Sequence, residues 1–268
     1  MSNDRSSVRK KQLMKPKQSY RIWFSQRNGS TVLCKGLEDT GVAGKPGEFF
    51  NVAEDSSLCE KYAVGSFAAL RDKIWELGTS PNGVFGIKHS LHAGRYGKIF
   101  EELKRLKGIP DDQSPDEEEL LGDLFPHCRH IFLTRRNKVR QAVSWWKAIQ
   151  DNVWHLEAEQ EHRNQEDFYE KNYDFAALSH LFKEATLREC AIQEYFSRYH
   201  IQPLTLVYEY FIENFKGTIR HIVDYLEIDA GDLRVKDLFY RKTADSDSEA
   251  WVQRFREDLQ QGMDGRIW

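Results

Sequence analysis

The sequence predicts an α/β protein in which a central parallel sheet is flanked by helices. Four short apolar runs have the length of buried strands, and the longer segments between them repeat their apolar residues at helical spacing. This alternation is typical of parallel sheets, because two parallel strands need a long crossover that is usually a helix. The predicted strands are residues 20–24, 82–88, 130–134 and 204–207.

The helices follow from the same spacing. The strongly acidic residues 101–123 indicate an exposed, peripheral helix pair with a surface loop. Residues 40–51 contain three glycines and Pro46, which predicts a loop. The predicted helices are residues 31–37, 56–77, a helix that follows the basic turn at 135 and continues to 154, 175–199, 212–226 and 251–259.

Composition bounds the number of domains and the class of partner. A chain of 268 residues with 40% hydrophobic residues is long enough for one large core. The first 19 residues are polar and basic, which predicts a disordered tail followed by a single domain over residues 20–268. The 39 Lys and Arg residues nearly balance the 42 Asp and Glu residues, so the net charge does not require nucleic acid as a partner.

Cysteine spacing and hydropathy predict the compartment. Cys34, Cys59, Cys128 and Cys190 lie far apart, which indicates reduced thiols rather than a disulfide framework. No apolar segment has the length of a membrane span. We therefore expect a soluble, cytoplasmic protein.

Cations and small residues collect where the predicted strands end. After the first strand, the chain passes from Arg27 through Gly29 into a helix start, where backbone N–H groups and the helix dipole favour an anion. The carboxyl ends of parallel strands share one edge of a sheet, so the donors should converge. They predict a site for phosphate or sulfate groups, and their number suits a nucleotide with a phosphate at each end of its ribose. These donors, with hardly an acid among them, are Arg27, Asn28, Ser30, Thr31, Lys88, Arg135, Arg136, Arg140 and Ser144.

Other functions are compatible with such a site. A Walker loop needs G-x-x-x-x-G-K-[ST], but here the motif lysine is absent and Arg27 precedes Gly29. No acidic residue ends an apolar strand where it would bind magnesium. A small-molecule kinase with a degenerate loop and a non-catalytic nucleotide-binding module stay open as alternatives. The cluster His127, Cys128 and His130 fits no common zinc spacing, so no metal site is predicted.

Four segments resemble the bacterial carbohydrate sulfotransferases. They are SQRNGST at 25–31, TGVAGKPGEFFN at 40–51, GIK at 86–88 and RRNKVRQAVSWWKAIQDNVW at 135–154, and the resemblance runs from about residue 21 to residue 258. The chain is most similar to the branch that contains trehalose 2-sulfotransferases and more loosely similar to Nod-factor sulfotransferases. The resemblance implies a P-loop-like fold and transfer of a sulfuryl group from 3′-phosphoadenosine 5′-phosphosulfate to a hydroxyl. The expected product is 3′,5′-ADP, and no metal is required.

The resemblance also implies residues for the donor. Arg27 would contact the 5′-phosphate and the sulfuryl oxygens. Ser144 and one arginine would bind the 3′-phosphate: the usual spacing of eight residues selects Arg136, whereas similarity to the trehalose enzymes selects Arg135. Arg241 lies in a segment that resembles the region closing over the nucleotide. The implied phosphosulfate loop consists of Ser25, Gln26, Arg27, Asn28, Gly29, Ser30 and Thr31.

Glu48 matches the carboxylate that acts as general base in this family. Arg27 and Lys88 would stabilise the charge that grows on the leaving phosphate. The alternative for Glu48 is an ion pair with a neighbouring cation such as Lys45.

The sequence defines the residues that would bind the acceptor less clearly than those that would bind the donor. Aromatic side chains could stack on a sugar ring, although a core role is expected for at least half of them. The resemblance implies a carbohydrate or glycolipid acceptor, whose identity and hydroxyl position the sequence does not reveal, and a homodimer. The substrate-binding candidates are Phe49, Phe50, Gln150 and Trp154.

Overall fold

A four-stranded parallel sheet forms the centre of the molecule, which confirms the predicted α/β class. The computed structural model describes residues 15–90, 93–154, 172–237, 246–261, 263 and 265. The strand order is β2-β1-β3-β4, with every neighbouring pair parallel. The strands are β1 (Gln18–Phe24), β2 (Val84–His89), β3 (Cys128–Thr134) and β4 (Leu204–Val207).

Helices occupy most of the connections between these strands. The predicted helix at residues 56–77 is two helices, because Ala63 adopts a left-handed conformation after the first of them. The predicted helix at residues 212–226 is likewise divided, at Asn214. The described helices are α1 (Ser30–Asp39), α2 (Leu58–Tyr62), α3 (Phe67–Gly78), α4 (Ala93–Lys107), α5 (Glu117–Leu121) with a 3₁₀ turn (Gly122–Leu124), α6 (Lys138–Asp151), α7 (Phe175–Arg198), α8 (Tyr208–Glu213), α9 (Phe215–Tyr225) and α10 (Ser246–Leu259).

The sheet includes residues that were predicted to belong to the tail. β1 begins at Gln18, and Ser19 is buried, with its Oγ donating to the Pro126 carbonyl at 2.8 Å. The tail as predicted, residues 1–19, is therefore too long by two residues. Gln18 and Ser19 are polar, so the apolar run that predicts the strand begins only at Tyr20.

Alternation along β1 places different chemistry on the two faces of the sheet. Tyr20 and Ile22 pack in the apolar cluster that includes α1 and α9. On the opposite face, Arg21 is fully buried and its guanidinium lies 4.4 Å from the centroid of the Trp23 ring. Arg21 pairs there with Glu118 of α5. The acidic stretch is therefore not merely peripheral, because one of its carboxylates compensates a buried charge.

Strand order brings the turns after β1 and β3 side by side. β1 lies between β2 and β3, so its carboxyl end is flanked by both neighbours. The crevice at such an edge is where parallel α/β sheets place ligands.

Among the described residues, no helix has both the length and the apolar character that crossing a bilayer requires.

Candidate active site

The turn after β1 is shaped by two residues with positive φ. Arg27 has φ 63° and Gly29 has φ 86°. A Cβ on Gly29 would lie 2.7 Å from Cδ2 of Tyr208, so the turn needs glycine for both its conformation and this close approach. Helix α1 begins at the next residue, and no described side chain caps it. Its first N–H groups thus remain available to an anion.

Arg27 connects this turn to helix α6. Its Nε donates to Ser144 Oγ at 3.1 Å, and its Nη1 donates to the carbonyl of Trp154. Burial, together with the positive charge of Arg135, lowers the pKa of Arg27 to about 10. The structure therefore brings Arg27 into contact with Ser144, which is more than a hundred residues away in sequence.

Arg135 lies beneath the turn. Its Nη1 donates to the carbonyl of Arg27 at 3.0 Å, and its guanidinium carbon lies 4.6 Å from the centroid of the Tyr208 ring. Burial lowers the pKa of Arg135. Among the described residues, its buried Nε has no hydrogen-bond partner. A second guanidinium beside Arg27 and a buried donor without an acceptor suit a site that takes anions.

The Arg136 side chain lies at the surface. It is exposed, and its guanidinium carbon lies 4.7 Å from the centroid of the Tyr210 ring. Its backbone N–H donates to Glu209 at 3.0 Å. The two adjacent arginines thus have different surroundings, which the sequence alone did not distinguish.

Lys88 joins the predicted base to the start of α1. Its ammonium donates to Thr31 Oγ1 at 3.0 Å and lies 2.9 Å from Glu48 Oε1. Lys88 is buried, whereas the Glu48 side chain is 37% exposed. The carboxylate also accepts from Asn51 Nδ2 at 3.3 Å. Glu48 is therefore paired with a cation, as the alternative interpretation expected, but the cation is Lys88 and Lys45 is exposed.

Lys61 supports the segment that carries Glu48. Its Nζ donates to the carbonyls of Asn51 at 2.7 Å, Phe49 at 3.2 Å and Glu48 at 3.4 Å. Three carbonyls on one ammonium hold this glycine-rich loop in a defined turn. The loop prediction for residues 40–51 agrees with the structure, in which this segment contains neither a helix nor a strand.

Three residues of the predicted phosphosulfate loop direct their side chains into the protein. Ser25 and Asn28 are fully buried, and Asn28 Nδ2 donates to the Leu133 carbonyl at 2.5 Å. Gln26 Nε2 donates to Ser90 Oγ at 3.3 Å, while its Oε1 accepts from Arg188. These side chains hold the turn. Their contribution to an anion site would come from the backbone.

Acidic residues also lie at the strand ends, beside a predicted set of donors that contained hardly any. Glu209 follows β4 and accepts from the N–H groups of Arg136 and Asn137. Burial by itself would raise the pKa of Glu209, but these N–H groups lower it below its usual value. Glu189 of α7 accepts from Ser25. The sequence analysis did not identify Glu189, Gln141 or the Tyr208 ring as part of the site. For Glu189, the sequence did contain an indication, because the carboxylate lies on the apolar side of a predicted helix.

The acceptor candidates are not equally placed. Phe50 is 5% exposed and packs with His89 and Phe125, which favours a core role. Phe49 is half-buried and stacks on Phe85 at 6.3 Å. Trp154 is 40% exposed just beyond α6, and Gln150 is half-buried within α6.

The remaining predictions concern Arg241 and metal ions. Arg241 lies outside the described residues. His130 belongs to β3 and its Nδ1 accepts from Trp23 Nε1 at 2.9 Å, so it is engaged in packing. No group of three or more His, Cys, Asp or Glu that could hold a metal ion occurs within the part of the chain that the structure describes.

The chain is similar to known proteins over most of its length. The chain is 27% identical to "Trehalose 2-sulfotransferase" of Mycolicibacterium smegmatis, over 90% of this chain and 96% of that protein. It is 24% identical to "Trehalose 2-sulfotransferase" of Mycobacterium tuberculosis, over 89% and 94% respectively. A solved sulfotransferase from Alicyclobacillus acidocaldarius aligns over 92% of this chain and 95% of its own, with 13% identity and a TM-score of 0.45. The family described as Stf0 sulphotransferase matches residues 19–258. Since that match spans most of the chain, the protein belongs to the Stf0 sulphotransferase family.

Proposed function

We propose that this protein transfers a sulfuryl group from 3′-phosphoadenosine 5′-phosphosulfate to a hydroxyl of a carbohydrate. Membership of the family and the names of the two mycobacterial relatives support the proposal. The observation that carries it is the position of Lys88, which contacts both Thr31 at the start of α1 and the Glu48 carboxylate. A candidate base and a candidate anion site are thus connected by one cation.

The donor would be held at its two phosphate ends. Arg27, Arg135 and the first N–H groups of α1 offer charge-assisted donors for the phosphosulfate. Ser144, with Arg136 or Arg135, would take the 3′-phosphate. The buried Arg135 Nε, which has no partner among the described residues, fits such a ligand. The donor supplies a sulfuryl group on a phosphate that leaves as an anion.

Glu48 serves as the general base. Its carboxylate takes the proton of the acceptor hydroxyl while that oxygen forms a bond to sulfur and the bond between sulfur and the 5′-phosphate oxygen breaks. General base catalysis of this kind contributes roughly 10²–10⁴-fold. Because the Glu48 side chain is 37% exposed, an incoming hydroxyl can reach it.

Lys88 and Arg27 offset the charge on the leaving phosphate. Preorganised cations act strongly at such a position because they need little reorganisation as the charge grows. Lys88 is buried beside Phe24, with Nζ 5.2 Å from the centroid of the ring. Its contact with Glu48 would also keep that carboxylate oriented.

Ligand binding tests the proposal directly. Thermal denaturation is measured with 3′,5′-ADP, with ATP and Mg²⁺, and with AMP. We expect the largest rise in Tm with 3′,5′-ADP, because a ligand that binds only the folded state stabilises it. Strong stabilisation by ATP and Mg²⁺ with none by 3′,5′-ADP would instead support the kinase alternative.

Radiolabelled donor then tests the acceptor class. Trehalose, other disaccharides and glycolipids are offered to the enzyme, and incorporation of label is measured for each. Label in none of these sugars, despite binding of 3′,5′-ADP, would contradict a carbohydrate acceptor and favour the non-catalytic module. The homodimer and the cytoplasmic location stay predictions.

A further inference from the structure

A buried carboxylate lies behind the two turns that would hold the donor. Glu189 of α7 is 6% exposed. Its Oε1 accepts a hydrogen bond from Ser25 Oγ at 3.0 Å, and its Oε2 accepts one from Thr134 Oγ1 at 2.7 Å. Ser25 directly follows β1, and Thr134 is the last residue of β3. One side chain therefore connects the ends of two adjacent strands.

Lys138 extends this connection to Arg135. The Lys138 ammonium lies 2.6 Å from Glu189 Oε1 and donates to the Arg135 carbonyl at 2.6 Å. Glu189 thus compensates the lysine charge, and the lysine in turn fixes the backbone from which Arg135 extends. A largely buried charge needs this kind of pairing and hydrogen bonding to be stable.

Gln141 completes the contacts of the Ser25 hydroxyl. Its Nε2 donates to Ser25 Oγ at 2.8 Å and to the Gln26 carbonyl at 2.6 Å. The Ser25 hydroxyl therefore donates to Glu189 and accepts from Gln141, and the residue is fully buried. This geometry makes the Ser25 side chain an anchor of the turn rather than a ligand of the donor.

We propose that Glu189 is a positioning residue for sulfuryl transfer. Through Ser25, Thr134 and Lys138 it holds the turns after β1 and β3 at the separation that the donor requires. The inference rests on the proposed function, because it takes these two turns as the donor site. Binding groups aimed at a charged ligand are effective only when supporting contacts keep them in place.

Two double variants test the role of the hydrogen bonds separately from that of the charge. Glu189→Leu with Lys138→Met removes both charges and every hydrogen bond of the carboxylate. Glu189→Gln with Lys138→Met removes the same charges but keeps hydrogen-bonding groups. We expect the Leu variant to raise the Kd for 3′,5′-ADP roughly 10- to 100-fold, the range seen when the residues that support metal ligands are lost. The Gln variant should recover most of that affinity.

Glu102→Gln provides a matched control. Glu102 is also buried, at 9% exposure, and accepts from the N–H groups of Leu58 and Cys59, away from the strand ends. This change should lower Tm without changing the Kd for 3′,5′-ADP. A Leu variant that binds like the wild type, or a control that loses as much affinity, would overturn the inference.

Hydrogen exchange covers the case in which the Leu variant fails to fold. Glu189→Gln alone leaves the Lys138 ammonium without its carboxylate. In this variant, amides of residues 25–31 should exchange faster than in the wild type, and unchanged exchange there would also overturn the inference. If the wild type itself does not bind 3′,5′-ADP, the proposed function fails instead.

Discussion

At the scale of single residues, the candidate site depends on Lys88, whose ammonium contacts two other residues. Its ammonium contacts a hydroxyl at the start of α1 and the carboxylate of Glu48. The carboxylate has a second contact with Asn51 Nδ2. Two donors therefore orient Glu48, and part of its side chain still faces solvent. Substitutions at Glu48 should affect proton removal more than donor binding.

Glu48→Gln keeps the shape of the side chain but removes its basicity. We expect kcat to fall by roughly 10²–10⁴-fold while the Kd for 3′,5′-ADP stays unchanged or decreases, because Lys88 loses its carboxylate partner. Initial rates and isothermal titration calorimetry measure the two quantities. Glu54→Gln, an exposed carboxylate in the following loop, is the control. Weakened binding with unchanged turnover would contradict the role of base.

The two adjacent arginines should differ in which ligands they affect. Arg135 donates to the Arg27 carbonyl, so Arg135→Ala should weaken binding of both 3′,5′-ADP and AMP. Arg136 contacts Glu209 and Tyr210. If it takes the 3′-phosphate, Arg136→Ala should weaken binding of 3′,5′-ADP but not of AMP, by about 10- to 100-fold, the range expected for a lost charge-assisted hydrogen bond. Titration of each variant with both nucleotides checks this. The opposite pattern would identify Arg135 as the ligand of the 3′-phosphate.

At the scale of elements, helix α1 is placed by two glycines. Gly29 precedes it with positive φ, against the Tyr208 ring. Gly36 lies on the side of α1 that faces α9, where a Cβ would come 2.6 Å from Cζ of Phe215. α1 therefore packs closely on α9 while its N-terminus faces the candidate site. The candidate anion site depends on this placement as much as on the side chains of the turn.

Gly29→Ala tests whether the helix start needs this conformation. The substitution puts a Cβ into both a left-handed backbone and the Tyr208 ring, so we expect a loss of at least about 1 kcal/mol of unfolding free energy and weaker binding of 3′,5′-ADP. Gly97→Ala is the control, because Gly97 lies within α4 with nothing within 4 Å of the added methyl group. The same change there should stabilise the protein by up to about 1 kcal/mol. Urea denaturation measures both effects, and an undiminished stability of Gly29→Ala would count against the argument.

At the scale of the whole molecule, one face of the sheet buries ionisable side chains. Arg21 pairs with Glu118, and its guanidinium lies among aromatic rings. Burial and the nearby Arg21 charge lower the pKa of His130 to about 3. Burial, Arg21 and His130 likewise lower the pKa of His89 well below its usual value. Both imidazoles are therefore neutral in the folded protein at neutral pH.

These buried histidines should make the fold sensitive to acid. A histidine with a lowered pKa binds more protons in the unfolded chain, so its contribution to stability is present above about pH 6.5 and is lost as pH falls toward its folded pKa. For His130 that window extends from about 6.5 to about 3. The slope is at most about 1.4 kcal/mol per pH unit for each histidine. We expect His130→Gln, which keeps an acceptor for Trp23, to show a shallower decline.

Urea denaturation between pH 7 and pH 4 measures this decline. His180→Gln, at an exposed position on α7, should follow the wild type. Equal slopes for His130→Gln and the wild type would contradict a neutral His130 in the folded state.

Local patterns were sufficient to predict the strands and the turn after β1. Strand β4 has the predicted bounds, because a short apolar run between polar segments has few other structures available to it. The turn from Arg27 to Thr31 was likewise recognisable, since glycine, small residues and a helix start lie next to one another in sequence. The pairing of Lys88 with Glu48 was not, because the two residues are 40 positions apart and Lys45 was the nearer cation.

The amino-acid sequence is sufficient to predict the α/β class, the order of strands and helices along the chain and the residue types available for an anion site. These properties depend on periodicity and on turns, whose physical causes act within a few residues. Contacts between distant segments follow from the three-dimensional fold. Lys88 joins Thr31 to Glu48, Arg135 supports the turn while Arg136 lies at the surface, and Glu189 connects two strand ends. Those contacts depend on the order of strands in space and on the face that a distant helix presents, which no local pattern encodes.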